Sequence, residues 1–318
     1  MVKTRSESYD GIMLSYLHGY HAGSAADVLK HSALIFCLEY LKQKEKPLLC
    51  VDTHAGTGFY DLAVMPNREW ENGIGRLLCR QALPSMLAGY LKISGAEIET
   101  QGQSGTGGEP ADLRSVSLRT SAAGSVKQHY YGSPLIMAKI LEKGDRLVCF
   151  ELHPREFEAL NAAMAGCRKG PPTIEVRRED GPGGLKSLLP PPSRRGLVLI
   201  DPSWEEQGDY ESIPRAVREG LKRFPEGTFI VWYPLLALPK KKNAVPLRDL
   251  LFDLPGEKRC RAELCTGTAG SSPRGMYGSG LVIFNPPWTL RPALEQTLPY
   301  LAKIVNNNTG GWRLDSDG

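Results

Sequence analysis

LLCVDTHAGTG, residues 48–58, opens as an apolar run closed by an acid and continues into a turn with glycines at 56 and 58. A strand that is apolar throughout, with no polar alternation, suits a parallel sheet covered on both faces. Gly56 and Gly58 allow a tight turn and close backbone approach to a ligand. The spacing is not the G-x-G-x-x-G of a dinucleotide site, and an acid precedes it. An acid followed by glycines two residues apart is the pattern of Rossmann-like folds that bind S-adenosylmethionine (SAM), where the acid's surroundings hold the methionyl amine. By itself the motif is weak, because a glycine turn follows many parallel strands.

Outward from this stretch the same strand type recurs. RLVCFEL (146–152), TIEVRRED (173–180), GLVLID (196–201), TFIVWYP (228–234) and GLVIFNP (280–286) are expected strands. Helical patterns stand at 25–46, 133–143, from Pro154 to about Cys167, and at 213–224. Alternation of this kind predicts an α/β fold with a doubly wound, mostly parallel sheet. The strands ending at Asp52 and Glu151 lie far further apart than one βαβ unit of about thirty residues. Residues 60–130 are therefore expected as an insertion, a small helical subdomain whose Gly/Ser-rich middle (102–115) forms a flexible loop. The expected division is 1–59 as an N-terminal block and start of the core, 60–130 as insertion, 131–305 as the remaining core, and 306–318 as a flexible tail.

The acids at strand ends are the next signal. Glu151 can take ribose hydroxyls, and Asp180-Gly181 stands where an adenine ring would lie. Each acid alone is equally a helix cap; three in order after a glycine turn favour a site. LVLIDPSW (197–204) places Asp201, Pro202 and Trp204 just past the fourth of these strands. An amine presented to a methyl donor needs acceptors for its hydrogens, which Asp201 and the Pro202 carbonyl supply. Trp204 offers a face for a base swung out of its stack. No strong base is required, since the nitrogen lone pair attacks in line and the site's task is orientation. A rival motif, Asn285-Pro286-Pro287-Trp288, follows the last strand rather than the fourth. Its position away from the expected switch point argues for a structural turn.

Bulk properties set limits. The seven cysteines form no CxxC pair, so neither a disulfide framework nor a zinc site is expected. No apolar run reaches the length of a membrane span, and the first residues carry no apolar signal core. A cytoplasmic or organellar protein without a metal, and a monomer, is expected. The net charge of +4 permits nucleic-acid binding without demonstrating it. Basic clusters at 177–178, 194–195, 222–223, 240–242 and 258–261 would form a phosphate footprint if they shared one face.

MLSYLHGYHAGSAADVLKH (13–31), DTHAGTG (52–58), YYGSPLI (130–136), ELHP (151–154), SRRGLVLIDPSW (193–204), WYP (232–234) and RGMYGSGLVIFNPPW (274–288) together resemble the bacterial RlmJ type of 23S rRNA adenine-N6 methyltransferase. The resemblance runs nearly end to end, apart from the insertion and the tails. It implies a class I SAM-dependent enzyme acting on naked or partly unfolded 23S rRNA. It implies SAM contacts from His31, His54, Ser133, Glu151, Asp180 and Gly181, beside the Gly56 turn. It implies catalysis by Asp201, and places Tyr16, His18 and Lys30 near the active site or the RNA. A cationic Lys30 suits a phosphate or carboxylate partner. The sequence departs from the family's D-P-P-Y: Ser203 restores a backbone N–H, and Trp204 enlarges the aromatic surface but lacks a phenol. Another RNA, DNA or a protein remains an alternative substrate. A SAM-binding RNA-binding protein without turnover and a nicotinamide-dependent oxidoreductase are the readings from other classes, the glycine spacing speaking against the last.

Overall fold

The computed structural model describes residues 21–65, 67–78, 80–95, 129–236, 246–267, 276–305 and 311–317. The expected strands form as β1 (Leu49–Asp52), β4 (Arg146–Phe150), β5 (Thr173–Arg177), β6 (Gly196–Ile200), β7 (Thr228–Leu236) and β9 (Met276–Phe284). Four strands escaped the sequence reading. β2 (Phe59–Asp61) and β3 (His129–Tyr131) make a separate ribbon, and β8 (Arg259–Cys265) and β10 (Gly311–Asp317) extend the main sheet.

The main sheet has the order β10-β8-β9-β7-β6-β1-β4-β5. From β1 the chain winds outward through β4 and β5, then returns to β6 and winds the other way through β7. The direction reverses between β1 and β6, which is the switch point where ligands collect at the carboxyl ends of strands. β7, β6, β1, β4 and β5 are mutually parallel, whereas β9 is antiparallel to both β7 and β8. Right-handed crossovers put α4 (Ser133–Ile140) and α5 (Pro154–Met164) on one face. After the reversal, α6 (Gly181–Leu188) and α7 (Asp209–Arg223) lie on the other.

α1 (Ala25–Lys42) is buried over most of its surface, packing against α4, against α3 (Ser85–Ile93) and against α9 (Leu290–Val305). Each fully buried leucine, such as Leu29, Leu34 and Leu38, contributes about 1.5–3 kcal/mol. The helix starts at Ser24, whose hydroxyl accepts from Asp27 N, and stops at Lys42, short of the expected residue 46. Its end is fastened by Asp145, which accepts from Lys42 Nζ, Leu48 N and Glu142 N.

The tail expected to be flexible is otherwise. Gly311–Asp317 pairs antiparallel with β8 along its whole length and is tied by Arg259–Asp317 and Arg261–Asp315 ion pairs. Its alternation of Trp312 and Leu314 with charges was too short to read as a strand. The described part of the insertion does not stand apart, since Trp70, Ile74, Leu87 and Tyr90 belong to the same buried cluster as α1 and α9. The 102–115 loop lies outside the described residues, as does the basic cluster at 240–242. No helix among the described residues is long and apolar enough to cross a membrane. The six cysteines among the described residues are free, and of these Cys37, Cys50, Cys149 and Cys260 are buried.

Candidate active site

The carboxyl ends of β6, β1, β4 and β5 lie side by side, and each carries an acid: Asp201, Asp52, Glu151 and, three residues beyond β5, Asp180. A cavity of about 280 Å³ opens at this edge, lined among others by Lys30, His31, His54, Ser133, Asp201 and Trp204. Six of the residues singled out from sequence thus meet in one place. Pro202, although buried in the same loop, is not among the cavity's lining residues, nor are Gly56, Glu151, Asp180 and Gly181. Tyr16 and His18 lie outside the described residues.

The N-terminal block builds one wall. In the first turn of α1, Asp27 Oδ2 accepts from Gly23 N at 3.0 Å while Ser24 caps the helix. This is a variant of the capping box, which satisfies amides at a helix start. One turn on, Lys30 is buried at 6% exposure between two carboxylates, 2.7 Å from Asp27 Oδ1 and 2.5 Å from Asp201 Oδ2. The carboxylate partner anticipated for Lys30 is therefore Asp201, a residue 171 positions away in the chain. Burial works to lower the lysine's pKa, but Asp201 and Asp27 outweigh it and hold the ammonium above its usual value. Burial likewise pushes Asp27 up, yet Lys30 and His31 bring it below the ordinary range. His31 is 2% exposed, with Nδ1 2.7 Å from the Tyr130 hydroxyl, and Tyr90 donates to that hydroxyl at 3.2 Å.

The glycine turn builds the floor. Gly56 (φ +59°) and Gly58 (φ +73°) both occupy the left-handed region that side chains avoid. Gly56 N donates to Glu151 Oε2 and His153 N to Oε1, both at 2.8 Å. Glu151 thus locks the turn, a role beyond the ribose contact expected of it. Asp180 caps α6 through Gly183 N, the alternative the sequence left open. Gly181 is needed for packing, because a Cβ there would lie 2.1 Å from Thr53 O.

Asp52 is wholly buried, and its Oδ2 has no hydrogen-bond partner among the described residues. Burial and the nearby Asp201 raise its pKa to about 6, against the opposing influence of the Ser133 hydroxyl, His54 N and Lys30. A buried, unsatisfied carboxylate costs free energy unless a ligand completes it. The sequence reading located the methionyl amine near this acid but did not list it among the site residues. It also passed over Asp27 and Trp232. Trp232 lines the cavity and its indole N–H is buried with no acceptor among the described residues.

Trp204 is 4% exposed at φ +56°, a conformation uncommon outside glycine. Its Nε1 donates to the Trp232 carbonyl at 3.0 Å and its ring meets Tyr210 edge-on. The indole N–H thus anchors this aromatic inside the cavity wall. At the neighbouring position Ser203 Oγ accepts from Glu205 N, a short turn in place of a second proline.

The rival motif is at the other end of the sheet. Phe284, the last residue of β9, pairs with Phe229 at the start of β7, so residues 285–288 lie at the amino ends of the parallel strands. Asn285 (φ +50°) donates through Nδ2 to Pro225 O and Gly227 O, and its own carbonyl accepts from Thr228 Oγ1. This is the turn that closes the sheet. Asn285→Ala is expected to lower stability by about 1–3 kcal/mol and leave methyl transfer unchanged, as denaturant unfolding and single-turnover assays would show.

Most of the basic clusters serve the fold. Arg261 is buried and paired with Asp249 and Asp315, and Arg259 caps the carbonyls of Phe252 and Leu254. Arg195 donates to the carbonyls of Leu41, Lys44 and Lys46, and Arg177 pairs with Glu175. These four arginines are thus engaged within the fold. Lys222 and Arg223, at the end of α7, are exposed.

A doubly wound sheet reversed at β1/β6, with one antiparallel strand inserted beside β7 and an acid–glycine turn at the switch point, defines a Rossmann-like, SAM-dependent methyltransferase. The model of the family described as "Ribosomal RNA large subunit methyltransferase D, RlmJ" matches residues 108–316. "Ribosomal RNA large subunit methyltransferase J" of Haemophilus influenzae is 36% identical over 313 residues, covering 95% of this chain and 98% of that protein. The Escherichia coli protein of the same name is 35% identical, covering 94% and 96%. Protein LPL1258 from Legionella pneumophila, solved as a crystal structure, superposes with a TM-score of 0.74 at 31% identity, covering 94% of this chain and 99% of that one. The chain belongs to the RlmJ family of rRNA large-subunit methyltransferases.

Proposed function

We propose that the chain transfers a methyl group from SAM to the exocyclic N6 amine of an adenine in 23S rRNA, presented as naked or partly unfolded RNA. The observation that carries this reading is Asp201. It stands at the carboxyl end of β6, its Oδ2 is held by a buried lysine, and it faces a cavity shared with the glycine turn of β1.

The residues present fit SAM. Asp52 Oδ2, buried and unsatisfied, suits the methionyl ammonium. His31, His54 and Ser133 line the same cavity, as does Ala55 of the glycine turn. When bound, SAM supplies an electrophilic methyl on a sulfonium. The chain's own task is to hold the amine. Asp201 and the Pro202 carbonyl accept its two hydrogens and direct the nitrogen lone pair at the donor. Trp204, fixed through its N–H, offers the base an aromatic wall. Desolvation of the cavity strengthens these hydrogen bonds. Action on 23S rRNA would place the protein with assembling ribosomes, in the cytoplasm or an organelle; one chain supplies every residue this reading needs, so a monomer suffices.

Asp52 gives a pH signature. In the free protein its pKa of about 6 lies above the ordinary 3.8, so it takes up a proton as pH falls through 6. An ammonium ligand favours the carboxylate. SAM affinity is therefore expected to rise by up to about tenfold per pH unit below 6 and to level off above it. Calorimetric titration across this range checks it, and Asp52→Asn should flatten the dependence. The substrate half of the proposal is tested by methyl transfer from labelled SAM to unmodified 23S rRNA with identification of the modified nucleoside.

A further inference from the structure

We propose that Asp27 is a positioning residue for methyl transfer, acting through Lys30 to set how much of the Asp201 carboxylate is left for the target amine. The inference rests on the reading of Asp201 given above.

Lys30 Nζ lies 2.7 Å from Asp27 Oδ1 and 2.5 Å from Asp201 Oδ2, and the side chains of all three are largely buried. One ammonium thus serves two carboxylates, and these three side chains together carry one excess negative charge. A lysine paired with Asp201 alone would neutralise it in a low-dielectric site, where such pairing is strong. The carboxylate would then be a poor acceptor for an amine hydrogen. Sharing the lysine with Asp27 keeps Asp201 oriented through Oδ2 while leaving negative charge at the cavity.

Asp27 is fixed for this task. Its Oδ2 accepts from Gly23 N at 3.0 Å, and its own N–H is capped by Ser24. Tyr130 holds the adjacent His31 through Nδ1 at 2.7 Å, and Tyr90 backs Tyr130 at 3.2 Å. His31 Nε2 stands 4.0 Å from Oδ1. Tyr90 and Tyr130 lie within the 60–130 segment, so that segment supports the reaction through a buried polar chain ending at Asp201. A helix cap alone would need none of these partners.

The test compares wild type, Asp27→Asn, Asp27→Glu and Asp201→Asn in steady-state methyl transfer to 23S rRNA, with SAM affinity by calorimetry and thermal melting alongside. Asp27→Asn preserves shape and capping ability. It is expected to lower kcat by about tenfold or more, with KM for RNA and Kd for SAM within about twofold. Asp27→Glu, which restores the carboxylate, should recover part of the loss. An unchanged kcat in Asp27→Asn overturns the proposal. So does a loss that follows SAM affinity and melting temperature together and is not recovered by Asp27→Glu. If Asp201→Asn is inactive while Asp27→Asn is fully active, only this inference falls. If Asp201→Asn turns over like wild type, the reading of the site falls with it.

Discussion

Asp201→Ala is expected to slow methyl transfer by about 10²–10³-fold, the usual cost of removing one preorganised partner of a reacting group. SAM affinity should stay within about twofold, because Asp201 engages Lys30 rather than the glycine turn. Removing one member of a buried ion pair normally costs about 3–5 kcal/mol. Here Lys30 keeps Asp27, so the folded state should tolerate the change better than an isolated pair would. Single-turnover kinetics with calorimetric SAM binding separates the two effects. Loss of SAM binding in step with activity would mean that Asp201 organises the cofactor site instead of the amine.

Gly181→Ala is expected to have the second-largest effect. A methyl group at this position would overlap Thr53 O at 2.1 Å and Thr53 Cα at 2.7 Å, and these are backbone atoms that cannot rotate away. Thr53 is itself held, since its N–H and hydroxyl both donate to Leu199 O. Either α6 or the 52–58 turn must shift. The expected cost is about 1–3 kcal/mol of stability, as for overpacking elsewhere. SAM binding should weaken as well, because His54 and Ala55, which line the cavity, follow Thr53 directly. Urea unfolding and calorimetry measure both. Unchanged SAM affinity in a destabilised variant would show that the turn does not need this contact for binding.

Both effects turn on contacts between distant segments, and that sets what the sequence could reveal. The parallel core was legible because β1, β4 and β6 are apolar without interruption, and because acids punctuate their ends. That residues 285–288 stand apart from the switch point was legible from strand order, and the antiparallel β9 supplies the reason: it turns its carboxyl end away from the cavity. β8 was missed because Arg259, Arg261 and Glu263 look like a surface charge cluster. Arg261 and Glu263 are buried and Arg259 half-buried, and they are paired by Asp315 and Asp317 from β10 and by Tyr233 from β7. The Lys30–Asp201 contact joins residues 171 positions apart, which no local pattern encodes. Asp27 looked like an ordinary N-terminal helix acid, and only the fold shows which cation it shares. Asp52 was visible as the acid of a motif, but its unsatisfied oxygen follows from complete burial.

The most direct measurement of the central claim is nucleoside analysis of unmodified 23S rRNA after reaction with the purified protein and isotopically labelled SAM. The account predicts label in N6-methyladenosine, formed by wild type and formed about 10²–10³-fold more slowly by Asp201→Ala. Label in another nucleoside, or label on adenine N6 that Asp201→Ala forms as fast as wild type, would contradict it.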